Sequence, residues 1–262
     1  MRRVVAISLV LVAGHAVLIG CGSATTSGAS GAPTKAHAIA YAKAVNLKPA
    51  DLPRMHILSP EGSAPALTQI GREAAQCAGF VNPDPRAVRI RSAAFSTAGG
   101  KERILKVESL GSFLPAYEGI RSDVTVLPSI ALAVRNSVVA RSQRVLACLA
   151  RGLTSALTHR RAPASALAHT LPSHFGTVTV SRLPDPLPSV PGSFGARAEL
   201  PEWFKLPFLG ARTIIAYVDI FGFVAGQSEV GLYAEGSPRP VPAAAERKLL
   251  SLLYNRAMAT KL

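Results

Sequence analysis

An α+β fold, a mainly antiparallel sheet packed with a long amphipathic helix and flanking helices, is what three features of this chain predict. Strand-like segments come in groups separated by helices, whereas a doubly wound parallel sheet needs strict alternation. Within the groups the connections are short and glycine-bearing, at Gly99-Gly100 and across 221–226, as antiparallel neighbours require. The longest helical stretch, 128–159, is amphipathic. Its Val134, Val138, Val145, Leu149 and Ala156, with Val139, Leu146, Leu153 and Leu157, fall within roughly a 140° arc at 100° per residue.

Taken in order, 35–47 has Ile39, Ala42 and Val45 at helical spacing and stops at the prolines of Lys48-Pro49-Ala50-Asp51-Leu52-Pro53. A short strand at 55–58 and a loop at 59–65 follow. A second helix is predicted over 66–80, with Leu67, Ile70, Ala74 and Cys77 on one face and Gly79, Pro83 and Pro85 ending it. Residues 88–97 and 103–110 alternate as a strand pair about Gly99-Gly100, and 124–127 is a further short strand. Pro128 suits the first turn of the long helix. There Arg141, Arg144 and Arg151 lie opposite the apolar arc, Cys148 sits between the faces, and Arg135 on the apolar side marks a kink near Asn136. Strand patterns return at 177–181, 194–200, 212–219 and 229–235, the last two as a hairpin. Proline-rich 183–191 and 201–210 connect the earlier ones, and 241–258 closes the chain as a helix started by Pro242.

The N-terminus reads as a lipoprotein signal peptide over 1–20. Arg2 and Arg3 form the basic region, 4–18 the apolar one, and Leu18-Ile19-Gly20-Cys21 a lipobox that leaves Cys21 as the lipidated mature terminus. An uncleaved signal anchor is the other reading. It is shorter than the ~20 apolar residues a span needs, is interrupted by Gly14 and His15, and has no basic flank after Cys21. Residues 21–34 are then anchor and flexible tether, poor in charge and rich in Gly, Ser, Thr and Ala. Residues 35–262 make one domain of a size that supports a single core. The expected location is the outer face of the cell membrane, with palmitate among the acyl groups.

Without Arg2 and Arg3 the chain has 27 basic and 15 acidic side chains. Part of the excess reflects an Ala-, Arg-, Pro- and Gly-heavy composition. The remainder suits anionic headgroups or envelope polymers, or simply a solvated basic surface. Nucleic acid is not expected, because no basic block is interleaved with aromatics. With Cys21 lipidated, Cys77 and Cys148 remain in an oxidising compartment and are predicted to pair; two separately buried thiols are the alternative.

Catalytic signatures are missing. There is no Gly-x-Ser-x-Gly and no Ser-x-x-Lys. The histidines after processing, His37, His56, His159, His169 and His174, form no His-Glu-x-x-His, so neither a metal nor a cofactor is expected. Asp219 ends an apolar strand and shares a face with Tyr217, a candidate polar pair for a pocket; turn capping or an arginine partner is the plainer role for the carboxylate. A candidate contact patch is Trp203, Phe204, Lys205, Leu206 and Phe208, placed between Pro201 and Gly210 in what reads as a loop. The other reading has that loop cap an open end of the fold.

Leu47-Lys48-Pro49-Ala50-Asp51-Leu52-Pro53, Gln76-Cys77-Ala78-Gly79, the run from Ser122 to Ser129 entering a helix, and Arg144-Val145-Leu146-Ala147-Cys148-Leu149 together resemble actinobacterial extracytoplasmic lipoproteins. In layout the chain is similar to the extracellular sensor domains of mycobacterial serine/threonine kinases and to the PsbP-like α-β-α sandwich. The resemblance implies a non-enzymatic binding, sensor or scaffold domain for an anionic or apolar envelope ligand or partner. An envelope hydrolase with a scattered site is the alternative.

Overall fold

The computed structural model describes residues 32–63, 77–78, 86–97, 117–159, 173–190, 192–206 and 210–262. The signal segment, Cys21, most of the tether, the strand predicted at 103–110 and Phe208 lie outside them, as does all of the 66–80 helix except Cys77 and Ala78, which are helical. The described chain forms one ten-stranded antiparallel sheet with helices on both faces.

Helix α1 (Lys35–Val45) is capped by the Thr34 hydroxyl, which accepts from the His37 amide. Strands β1 (His56–Ser59), β2 (Gly62–Ser63), β3 (Val88–Arg91), β4 (Ala94–Ser96) and β5 (Tyr117–Val126) follow. Helices α2 (Ile130–Ala140) and α3 (Gln143–His159) come next, then β6 (Ser173–Phe175), β7 (Thr179–Leu183), β8 (Phe194–Leu206), β9 (Gly210–Ala225), β10 (Ser228–Ser237) and α4 (Ala243–Ala259). The main strand order is β1-β4-β5-β10-β9-β8-β6, with β3 also on β5 and β7 also on β8. The β9–β10 hairpin turns through Gly226-Gln227, narrower than the six residues predicted, and Gly226 supplies the left-handed backbone at φ +58°.

Each strand alternates its side chains between the faces, and two cores result. On one face α1 and α4 press Tyr41, Val45, Leu249, Leu250 and Leu253 onto Val124, Phe221, Phe223, Val230 and Leu232. On the other, α3 packs Val145, Leu149, Leu153 and Leu157 against Ala198, Leu200, Val218 and Ile220. Asn46, fully buried at the end of α1, ties that helix to the sheet. Its Nδ2 donates to the Ile90 carbonyl at 3.0 Å and its Oδ1 accepts from the Ser122 hydroxyl at 2.8 Å. Asn46→Ala strands both groups and is expected to cost about 2 kcal/mol; a urea midpoint matching that of the wild type would remove this role.

Three expectations are corrected. The long helix is two helices, broken at Arg141-Ser142 rather than near Asn136, because the Ser142 hydroxyl accepts from the Val145 amide and starts α3 as its own cap. A single angular phase therefore does not run through 128–159, and Val134 and Val138 are exposed instead of joining Val145 and Leu149 in the core. The strand at 88–97 is divided at Ser92-Ala93, and the one read at 124–127 begins at Tyr117.

The third correction concerns 201–206, read as a loop and found as the second half of β8. Prolines are excluded from sheet interiors for want of an N–H. The Pro201 carbonyl accepts from the Gly176 amide, so its polar edge points away from β9 and into the gap where the neighbour changes from β7 to β6. The missing donor takes no bond from the β8–β9 ladder.

Candidate functional site

Pleating gathers an unusual set of side chains on the α2–α3 face of the sheet. β3 contributes Arg89 and Arg91, β5 contributes Arg121 and Asp123, and β10 contributes Glu229, Tyr233 and Glu235, each alternating with the apolar residues of the opposite core. The register sets Arg91 beside Asp123 and Tyr233 beside Arg121. Arg89 Nη2 lies 2.7 Å from Asp123 Oδ2, and Arg91 Nε lies 3.0 Å from Asp123 Oδ1. The Arg121 guanidinium stacks 4.8 Å from the centre of the Tyr233 ring, a cation–π contact inside the protein.

Helix α2 packs on β9 and β10 and meets this network at Glu229. Asn136 Nδ2 donates a short hydrogen bond to Glu229 Oε1, and Asn136 and Ser137 are buried. Burial pushes the Glu229 carboxyl up to about 7, against the opposing pull of Asn136 and Arg89. The Glu235 carboxyl and the Tyr233 phenol are raised by the same desolvation. Arg89 Nε, Arg135 Nε and Asn136 Oδ1 are buried without a hydrogen-bond partner, two donors and one acceptor with unused capacity.

The predicted pair Tyr217 and Asp219 lies on the other face, gathered around Arg197. Asp219, 1% exposed, accepts from Arg197 Nε at 2.7 Å and Nη2 at 2.6 Å, and the guanidinium sits 5.6 Å from the Tyr217 ring centre. From α4, Glu246 hydrogen-bonds Asp219, and burial together with that carboxylate raises its own carboxyl to about 8. The arginine-partner role is thus the one the structure gives Asp219. Two depressions are described, and neither is lined by this pair. One is an apolar slot of about 20 Å³ between Val145, Leu149, Phe194 and Ile220, room for a water at most. The other is a shallow hollow of about 400 Å³ at Arg151, Thr154, Ser155 and Val178, with no carboxylate or histidine in its lining.

Cys77 and Cys148 form a disulfide, with Cα atoms 5.7 Å apart and Arg144 Nε donating to the Cys77 carbonyl at 2.8 Å. Trp203 is 43% exposed, and its indole nitrogen lies beside Gly176. Phe204, Lys205 and Leu206 follow it in the last residues of β8, in strand rather than loop. Among the described residues no group of three or more His, Cys, Asp or Glu side chains is placed to hold a metal, and no helix is long and apolar enough to cross a membrane.

The charged network escaped the sequence reading because β5 was recognised only in its last turn-proximal residues. Extending the alternation back from Val124 through Ser122 and Ile120 puts Asp123 and Arg121 on one face, a signal that was present.

The fold and this site define an α+β domain with one mixed polar and apolar sheet face beneath a helical layer. No family model matches the chain, and no curated protein does. Among solved structures it is similar to the extracellular domain of PknH from Mycobacterium tuberculosis, at 11% identity and a TM-score of 0.39, over 84% of this chain and 96% of that one.

Proposed function

We propose that the chain is an exported domain, tethered through a lipid on Cys21, that binds a polar or anionic cell-envelope ligand or partner at the network under α2 and carries out no chemistry of its own. The observation that carries this reading is the network itself. Buried ion pairs contribute little net stability compared with apolar residues of the same size, so three arginines and three carboxylates in a sheet interior are not explained by folding. They do present guanidinium donors, and Arg89 Nε and Asn136 Oδ1 retain unused hydrogen-bonding capacity. The Cys77–Cys148 disulfide suits an oxidising compartment, and the lipobox suits a bilayer anchor.

The test is mass spectrometry of molecules that co-purify with the full chain from membranes. Wild type is expected to carry an envelope molecule that drops at least tenfold in Arg89→Lys, which keeps the charge but loses the planar fork. The Glu229 carboxyl titrates near 7. Below that it is neutral and the arginines dominate, whereas above it a buried anion opposes them, so retention should fall as pH passes 7 and Glu229→Gln should abolish the fall. Equal recovery from wild type and Arg89→Lys, or none from either, would overturn the reading.

A further inference from the structure

Helix α2 leaves large apolar side chains outside. Its inner side buries Ala133, Asn136, Ser137 and Val139, while the outer side presents Ile130, Val134 and Val138 at 51%, 51% and 45% exposure. These positions are four residues apart and so form one stripe along the helix. Ala131, also exposed, borders it. An exposed run of β-branched apolar side chains on an otherwise well-packed layer marks a contact surface.

What covers the stripe is indicated by the charge around it. From Asp123 to Asp185 the sequence contains no acidic residue, yet it holds seven arginines. Three of these, Arg141, Arg144 and Arg151, are exposed at the start of α3 and along it, in the same helical layer as the stripe. A second copy of the chain would bring arginine against arginine across such a face. An anionic bilayer answers both features, taking the apolar side chains at its interface and the guanidiniums among its phosphates.

We infer that the outer face of α2, with the arginine row of α3, is a membrane-docking surface that seats the domain on an anionic bilayer. The inference rests on the tether reading in one respect. A stripe of three side chains binds weakly alone, but a flexible segment of this length has an r.m.s. span of roughly 20 Å and holds the domain at a high effective concentration beside the membrane. Each arginine reaching the surface is expected to strengthen binding about fivefold at low salt, and added salt to weaken it. The network under α2 then lies directly behind the docked helix.

The test separates this surface from both the anchor and the ligand site. In the full chain carrying Cys21→Ala, an environment-sensitive fluorophore is attached at Val134→Cys, or as a control at Lys248→Cys on the exposed side of α4 across the sheet. With equimolar phosphatidylglycerol–phosphatidylcholine vesicles the Val134 probe is expected to shift to the blue and be quenched by lipid-borne quenchers, and pure phosphatidylcholine should do neither. The Lys248 probe should stay in water throughout, even where the apolar N-terminal segment binds the vesicle. Arg144→Ala with Arg151→Ala should weaken the response more than tenfold. An unmoved Val134 probe on anionic vesicles would overturn the inference. So would a shift that appears without lipid as protein concentration rises, which would assign the face to a second copy. Val134→Asp with Val138→Asp should leave the melting temperature nearly unchanged; a collapse would mean that the stripe is packed within the fold.

Discussion

Arg197→Met is expected to destabilise the domain by about 3–5 kcal/mol, because it leaves the buried Asp219 carboxylate, with Glu246 against it, without the guanidinium that pairs with it. Asp219 is nearly inaccessible and accepts from both Nε and Nη2 of that guanidinium, while Glu246 adds a second carboxyl against it. Replacing Asp219 by Asn in the Arg197→Met background should recover much of the loss, since the charge needing compensation is gone. Lack of recovery would mean that Arg197 contributes through packing on Tyr217.

The same trio makes stability depend on pH. Glu246 in the folded chain holds its proton up to about 8, well above the ordinary 4.5 expected when unfolded. The folded state therefore binds more protons than the unfolded state between these values. Its contribution is fully present below about 4.5 and is lost as pH rises through about 8. Thermal melts from acid to alkaline pH should fall by several degrees for wild type and be flatter for Glu246→Gln. Glu229, raised to about 7, adds a slope of the same sign, so Glu229→Gln is the background in which to make the comparison. Parallel curves for the two chains would exclude a raised Glu246 carboxyl as the source of the slope.

Removing the disulfide by Cys77→Ala with Cys148→Ala is the other large effect. The bridge closes a loop of 71 residues, for which chain entropy predicts about 4 kcal/mol, roughly 10 °C in a domain of this size. The loop includes β3, β4 and β5, so its constraint in the unfolded chain bears on the strands that flank the charged network. Melting with and without a reductant measures it, and a shift of less than about 2 °C would show that the unfolded chain is already restricted there.

Several parts of the molecule were legible from local pattern. Periodicity marked α1 and α4, alternation marked β8, β9 and β10 in part, and a count of cysteines predicted Cys77 with Cys148. What local pattern conveys is which side chains share a face, provided the element is continuous. That proviso failed at Ser142, where one serine hydroxyl restarts the helix and turns Val134 and Val138 outward. It failed again at Pro201, whose lost donor matters only if a neighbour faces it, and the neighbours are set by the pairing of β6, β7 and β9.

The two charged clusters show the division most clearly. The sequence by itself determined that Asp219 and Tyr217 lie on one strand face, that Arg and Asp alternate with apolar residues before Val124, and that 124–184 carries no acid. Only the tertiary structure decided that Arg197 crosses from the next strand to Asp219, that α4 brings Glu246 to it, and that Arg89, Asp123 and Glu229 meet under α2 from positions up to 140 residues apart. The reason is physical: alternation along a strand is set by the backbone of that strand, whereas which charges become buried neighbours depends on register between strands and on the helix that excludes water above them.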